Sequence, residues 1–421
     1  MTRRKISVFE YDDIIVGEGG FRASDLAAIA HYEDSSRRGV FRVGWNKVRA
    51  QGHVGEFILG DLMIEILPKV ERRTVGNSQQ IRDKWSGALR TMVATVFDIP
   101  VLDTGWIETT TREHTILDII ARHFVVLCER LFHQGLAKGY RRTQETLIGV
   151  RGKCLTGRLT PKSLVHTESV ICEFDAYDNS IAHNRLLALG LVSLANLPVS
   201  IETVGRATKL AEVFPDPHVG NIDEQVFREL PYDRRTEHYR HAMRLCELIV
   251  LSRGPTSRSG QADTLALLFD MPVLFEKYVG LLVRRAGRMC GWTVELQQTR
   301  AFWKKRQIRP DIVATKHDQT IVLDTKWKVL DSHTPSDDDL KQMYVYSRFF
   351  GARASLLVYP DVYGVEDGTH PYRFPDTDVT CGLVFVPLFE GQNLSANIGS
   401  NILQKVDRLL NRLAVSSGGF G

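Results

Sequence analysis

No GxxxxGKS/T phosphate loop occurs anywhere in the 421-residue sequence, so the chain is not a P-loop NTPase. GxSxG and HExxH are also absent, which removes the nucleophile-elbow hydrolases and the HExxH zinc peptidases. The six cysteines (Cys128, Cys154, Cys172, Cys246, Cys290, Cys381) are scattered, with no CxxC and no zinc spacing. That pattern predicts reduced, mostly buried thiols in a cytoplasmic protein. No apolar run approaches the roughly 20 residues a bilayer requires. The most apolar stretch, Leu186–Leu197, reads as a buried helix, and MTRRKISVFEYDD at the start has no signal-peptide core. No membrane partner is expected. Charge of one sign is scarce too: 54 Lys+Arg against 50 Asp+Glu leave a net +4, too mild to mark a nucleic-acid binder. Repeats and low-complexity segments are missing as well.

What is present is a globular composition, 43% hydrophobic and 25% charged, in a chain long enough for two or three domains. Strands are predicted at Ile6–Phe9 and Val40–Val48, with a helix around Leu26–Ala30 between them. A hairpin follows at Gly55–Leu59 and Leu62–Leu67, turning at Gly60–Asp61. Helical patterns then cover Gln79–Phe97, Ile116–Leu136, Asn184–Leu197 and Tyr239–Leu251, and Ser252–Gln261 reads as a loop or linker. From Met271 the order is α-β-β-β-α-β. A helix starts at Pro272 with the apolar stripe Phe275, Tyr278, Val279, Leu282 and Val283. Strands follow at Trp292–Leu296, Arg309–Thr315 and Thr320–Val329, then a helix at Asp337–Phe350 and strands at Ser355–Tyr359 and Leu383–Pro387. Ile402–Leu413 closes the chain as a helix. Such alternation builds a mixed α/β (α+β) sheet flanked by helices.

The chemistry concentrates in RPDIVATKHDQTIVLDTKWKV, Arg309–Val329. Asp324 and Lys326 are two apart on a strand and share a face. Ile321, Val322 and Leu323 lead into Asp324 as a core strand does, so the carboxylate interrupts an apolar run, which an exposed, solvated hairpin does not explain. A turn centred between His317 and Asp318 sets Asp311 opposite Asp324, with Cβ atoms about 5 Å apart. The turn has no glycine, so a one-residue slip in this register stays open. Two carboxylates that close repel each other unless a hard divalent cation lies between them, and Mg²⁺ takes one or two carboxylates plus water and phosphate. Lys326 then orients a metal-bound water or stabilises phosphate charge. Glu276, at the edge of the preceding helix's stripe, is a candidate third ligand or an ordinary boundary glutamate pairing with Lys277 or Arg288. Gln342 and Tyr346 stand i, i+4 on the Asp337–Phe350 helix and can face the site together.

Between Arg284 and Arg309 lie eight basic residues (Arg284, Arg285, Arg288, Arg300, Lys304, Lys305, Arg306, Arg309) and one acid, Glu295, interleaved with Trp292, Phe302 and Trp303. Cations among aromatics suit phosphate contact and stacking, which predicts DNA binding through Arg300, Lys304, Lys305, Arg306 and Arg309. Arg284, Arg285 and Arg288 fit a solvated helix end equally well. His238 and His241 lack a third metal ligand and read as a surface pair, and VRGK (Val150–Lys153) resembles a phosphate loop only superficially.

Pro310-Asp311, then Asp324-Thr325-Lys326, resembles the PD-(D/E)xK nuclease motif, and Gln342-x-x-x-Tyr346 resembles the QxxxY signature of its RecB-like branch. IEILPKV (Ile64–Val70), VRGK, EFDAYDNSIAHNRLL (Glu173–Leu187), MPVLFEKYV (Met271–Val279), RPDIV with LDTKWK, and QMYVYS (Gln342–Ser347) resemble the McrC family in the same order, over roughly residues 40–360. The resemblance implies a restriction-endonuclease-like domain over residues 236–421, an N-terminal partner-binding domain over 1–160 and a helical connection over 161–235. It implies Asp311, Asp324 and Lys326 as catalytic residues, Asp311, Asp324 and Glu276 as ligands of Mg²⁺ (or Mn²⁺), and DNA as substrate. The implied partner is a McrB-like AAA+ GTPase hexamer, which the N-terminal half engages and stimulates, and self-association of nuclease domains stays open. Two other readings remain: a PD-(D/E)xK nuclease of another restriction or DNA-repair system, and a non-catalytic subunit bridging DNA to a motor.

Overall fold

The computed structural model describes residues 4–36, 38–69, 79–100, 115–154, 170–218, 220, 222–253, 264–328, 330, 334–361, 372–374 and 379–417. Up to residue 100 the elements are β1 (Arg4–Phe9), β2 (Asp13–Ile15), α1 (Ala23–Ser36), β3 (Phe41–Gly44), β4 (Lys47–Ala50), β5 (His53–Leu59), β6 (Leu62–Leu67) and α2 (Gln79–Val96). The predicted hairpin is present: Leu59 faces Leu62, and Gly60 turns the chain at φ 57°. The single strand expected over Val40–Val48 is instead the β3–β4 hairpin. It turns at Trp45–Asn46, with Asn46 in the left-handed conformation (φ 56°) that asparagine tolerates.

The middle of the chain supplies α3 (Ile116–Gln134), β7 (Gly139–Leu147), β8 (Lys153–Cys154), β9 (Val170–Asp178), α4 (Ala182–Leu194), α5 (Ile201–Ala211), α6 (Glu224–Arg228) and α7 (Arg240–Leu251). The rest adds β10 (Thr264–Asp270), α8 (Met271–Cys290), β11 (Thr293–Leu296), β12 (Arg300–Trp303), β13 (Arg306–Ile308), β14 (Ile312–Lys316), β15 (Gln319–Thr325) and α9 (Asp337–Phe350). It ends with β16 (Ala354–Asp361), β17 (Tyr372–Arg373), β18 (Thr380–Pro387), β19 (Phe389–Glu390), β20 (Asn393–Leu394) and α10 (Ile398–Ser417).

These elements form two compact units, Met1–Glu113 with Ser257–Gly421, and His114–Thr256. The division expected at residues 160 and 235 does not follow this arrangement. β10 pairs antiparallel with β5 and completes the N-terminal sheet, ordered β1-β6-β5-β10. Trp85 on α2 meets Phe389 and Trp327 edge to face, at 4.9 and 6.3 Å between ring centres. A cut near residue 235 therefore leaves a sheet edge and an aromatic cluster without their partners. Of the loop expected at Ser252–Gln261, residues 254–261 lie outside the described residues, as do Val70 and Val329.

In the His114–Thr256 unit, Gly190 lets α4 approach its neighbours: a Cβ there would stand 2.8 Å from Phe124 Cζ and 2.9 Å from Cys246 Sγ. Asn184 ties α4 to the preceding chain by donating to the carbonyls of Ala137 (2.9 Å) and Asn179 (2.7 Å). VRGK is no phosphate loop. Lys153 pairs with Glu173 across β8 and β9, and Arg151 stacks 4.2 Å over the Phe174 ring. His238 and His241 do not act together: His238 packs on Tyr239 and His241 on His123. Four of the six free thiols are buried, Cys154 is half-buried and Cys290 is exposed. Among the described residues no helix is long and apolar enough to cross a membrane.

The C-terminal sheet is mixed and six-stranded, ordered β11-β14-β15-β16-β18-β17. β11, β14 and β15 run antiparallel, and β15, β16 and β18 run parallel. The two-residue turn at His317–Asp318 has no glycine, and His317 takes the left-handed conformation itself (φ 54°). Ile312 faces Leu323 and Val313 faces Val322, which is the register predicted from the sequence. α9 covers one face through Met343, Tyr346 and Phe350 against Val313, Val322 and Leu357. Its limits are built into the sequence: Ser336 and Asp339 form a capping box at the start, and Gly351 closes the end at φ 61°. α8 begins on the Asp270 cap with proline in its first turn and ends at Gly291, φ 76°. α8 and α10 cross so closely that a Cβ on Gly399 would lie 2.2 Å from the Leu282 carbonyl oxygen.

Candidate active site

Strand periodicity puts Asp311 with Val313, and Asp324 with Val322, on the face that α9 covers. Asp324 is 2% exposed at the buried end of β15. Its Oδ2 lies 2.7 Å from Lys326 Nζ in an ion pair and accepts no well-directed hydrogen bond. Asp311, just before β14, accepts from the Thr325 backbone N–H (2.6 Å) and hydroxyl (2.7 Å). Lys326 continues past β15, where its backbone N–H donates to the Val358 carbonyl at 2.8 Å.

The electrostatics are those of an acid cluster short of cations. Burial, then the charges of Asp324 and Glu276, push the Asp311 carboxyl up to about 7, against the two bonds from Thr325. Burial likewise raises Asp324, although Lys326 pulls it down. For Lys326 burial acts the other way, but the Asp324 and Asp339 carboxylates outweigh it and hold the ammonium above its ordinary value. Glu276 acts on both aspartates from α8, so the structure brings this sequence candidate to the pair.

Gln342 and Tyr346 join the site through a chain of bonds. Lys326 Nζ donates to Gln342 Oε1 (2.9 Å), Gln342 Nε2 donates to the Tyr346 hydroxyl (2.8 Å), and that hydroxyl donates to the Arg309 carbonyl (3.2 Å). The helix thus holds both the lysine and the backbone two residues before Asp311. Asp339, one turn ahead of Gln342, was legible only as a helix-start acid. It pairs with Lys328 at 2.6 Å and Lys326 at 3.4 Å. Burial works against the Asp339 charge, but Lys328, Ser336 and Lys326 keep its pKa below the ordinary value.

Sequence reasoning missed Gln297 altogether. It holds a left-handed backbone (φ 52°), its N–H donates to the Asp311 carbonyl (2.9 Å) and its side-chain amide donates to Glu276 Oε1. Trp327 was quoted without a role; its indole lies 5.0 Å from Phe275 and its Nε1–H donates to the buried Glu10 at 3.4 Å.

The basic candidates separate. Lys304, Lys305 and Arg306 lie exposed on a β12–β13 ribbon that the sequence did not announce, with no glycine or asparagine at its turn. Arg300 is engaged, donating to the Phe349 carbonyl (2.7 Å) and stacking 4.5 Å over Phe350. The side chain of Arg309 is exposed. Trp292, expected among the stacking aromatics, is buried at 3% exposure under Lys316, and its burial takes it out of that surface.

A buried Asp324 with an under-bonded oxygen beside a half-buried Asp311 fits a hard divalent cation held by oxygen ligands. Asp311 and Asp324 would hold it, with Glu276 nearby. Among the described residues no three such side chains converge as a ready-made ligand set; Thr325 bonds Asp311, Lys326 pairs with Asp324 and Gln297 bonds Glu276.

The site thus sets paired carboxylates and a lysine at the strand ends of a mixed sheet flanked by helices. The chain belongs to the family described as McrBC 5-methylcytosine restriction system component, whose model matches residues 48–360, more than half of its length. The fold is similar to a solved half-complex from the tetradecameric assembly of Thermococcus gammatolerans McrB AAA+ hexamers with bound McrC. That match has 17% identity and a TM-score of 0.61, covering 96% of this chain and 100% of that one. A cryo-EM structure of the Thermococcus gammatolerans McrBC complex matches at 16% identity and a TM-score of 0.45, covering 67% and 88%. No curated protein matches.

Proposed function

We propose that this chain is the metal-dependent endonuclease subunit of a McrBC-type restriction system, hydrolysing DNA phosphodiester bonds. The observation that carries the reading is the pairing of half-buried Asp311 with buried Asp324, whose carboxylate lies 2.7 Å from Lys326 Nζ. A divalent cation, Mg²⁺ or Mn²⁺, would neutralise the two carboxylates, polarise the scissile phosphate and acidify an attacking water. Asp311 and Asp324 would hold it, and Thr325 orients Asp311. Lys326 holds the water or the developing phosphate charge. Gln342 and Tyr346 keep its side chain aimed, and Asp339, the longer of its two carboxylate contacts, is the one a phosphate oxygen displaces.

Asp311→Ala, Asp324→Ala and Lys326→Ala should each lower cleavage by about 10²-fold or more with an unchanged melting temperature, and chelation of divalent cations should stop it. Near wild-type cleavage by any one of the three overturns the assignment.

The family and the absence of a phosphate loop support a separate motor, a McrB-type AAA+ GTPase. The full chain should stimulate that GTPase, and stimulation should survive Asp324→Ala because docking does not use the carboxylates. A chain that hydrolyses GTP by itself contradicts this.

A further inference from the structure

Among the described residues the β12–β13 ribbon pairs with no other strand. From Leu296 to Pro310 the sequence carries five cations and no acid. Arg300 is spent on the end of α9, and Phe302 packs on Phe349 with ring centres 5.2 Å apart, so the base of the ribbon is fastened to the helix that holds Lys326. Lys304, Lys305 and Arg306 make no ion pair among the described residues. Lys304 turns the chain at φ 50°, and Trp303, 65% exposed, faces Arg306 across the ribbon. An exposed tryptophan among unpaired cations on an anchored two-stranded ribbon has no use within the fold.

We propose that this ribbon grips duplex DNA by entering its major groove, with Lys304, Lys305 and Arg306 on phosphates and Trp303 against sugars and base edges. The inference rests on the nuclease reading and specifies how the substrate is held. A two-stranded ribbon fits a major groove about 12 Å wide. Both roots of the ribbon are tied to the site, through the Gln297 N–H on the Asp311 carbonyl and through Tyr346 on the Arg309 carbonyl. Grip and carboxylates therefore keep a fixed offset. Lys304, the farthest of the three cations, is seven positions from Asp311, a backbone reach of at most about 25 Å, so the ribbon meets the duplex within about seven base-pair steps of the cut at 3.4 Å per step.

The test is binding of a fluorescent duplex by the full-length Asp324→Asn chain across a salt series. Replacing Lys304, Lys305 and Arg306 together by alanine should lower the log–log salt slope by about 2.7, at about 0.9 per phosphate. Trp303→Ala should weaken binding by about 5- to 100-fold and leave the slope unchanged. An unchanged slope in the triple variant, unchanged affinity in Trp303→Ala, tighter binding of single strands than of duplex, or no binding by the full chain each overturns the proposal. Cleavage by the unaltered chain in Mg²⁺, with a McrB-type partner and GTP present, is read separately. Binding through the ribbon without cleavage defeats the nuclease reading and leaves the grip, whereas cleavage with an unaltered slope defeats the grip alone.

Discussion

Gln297 shows how a single residue can carry cost and purpose together. A non-glycine residue at φ 52° is strained by about 1–2 kcal/mol. The strain aims an amide at Glu276 while the backbone N–H closes on Asp311. Glycine adopts this backbone freely but has no amide. Gln297→Gly should therefore raise or preserve the melting temperature while raising the half-saturating Mg²⁺ for cleavage about 10-fold, the usual effect of losing an outer-shell partner. Mn²⁺ binding followed by electron paramagnetic resonance should weaken in parallel. A fall in melting temperature with unchanged metal dependence would reduce Gln297 to a structural residue. Asp324 and Lys326 were legible because an acid after three core residues has no structural excuse. Gln297 was not, because its partners are distant in sequence and no local pattern marks a left-handed glutamine.

At the scale of elements, the limits of α9 match the helix predicted over Asp337–Phe350, and Ser336, the three aspartates after it and Gly351 are the local groups that set them. The ribbon was missed because its turn uses Lys304 in a conformation that lysine rarely adopts. The β5–β10 pairing was missed because the partners lie on either side of the whole His114–Thr256 unit. That pairing depends on Gly55, at φ 135°, where a Cβ would stand 2.2 Å from the Leu267 carbonyl oxygen. Gly55→Ala should destabilise the protein by about 3 kcal/mol or more, since backbone atoms and not a flexible side chain must move. A urea midpoint unchanged from wild type would show that β10 is not held as described.

For the molecule as a whole, Glu10 connects the N-terminal sheet to the strand that carries the site. It is 1% exposed, accepts from the Lys69 backbone N–H (2.9 Å) and from Trp327, and burial raises its pKa to about 7, with Asp270 adding to the rise and Lys69 opposing it. The native state therefore keeps this proton over a range in which the unfolded chain, near 4.5, has lost it. Stability from this group is full below about 4.5 and is lost as pH rises through about 7. Wild type should melt lower at pH 8 than at pH 5, and Glu10→Gln, neutral throughout, should reduce that difference, leaving the part that Asp311, also raised to about 7, contributes. An equal fall in both proteins would place the titration elsewhere.

Strand and helix periodicity, helix caps and the D-T-K spacing are local, and the sequence by itself determined the order of the elements around the central sheet, the hairpin register and the meeting of Asp311, Asp324 and Lys326. Which distant segments meet was decided only by the tertiary structure: β10 with β5, Trp327 with Glu10, Gln297 with Glu276, Tyr346 with the carbonyl of Arg309. These contacts form where the burial of whole sheets and helices brings the segments together. The energy that selects them is spread over the core, so no short run of residues announces them.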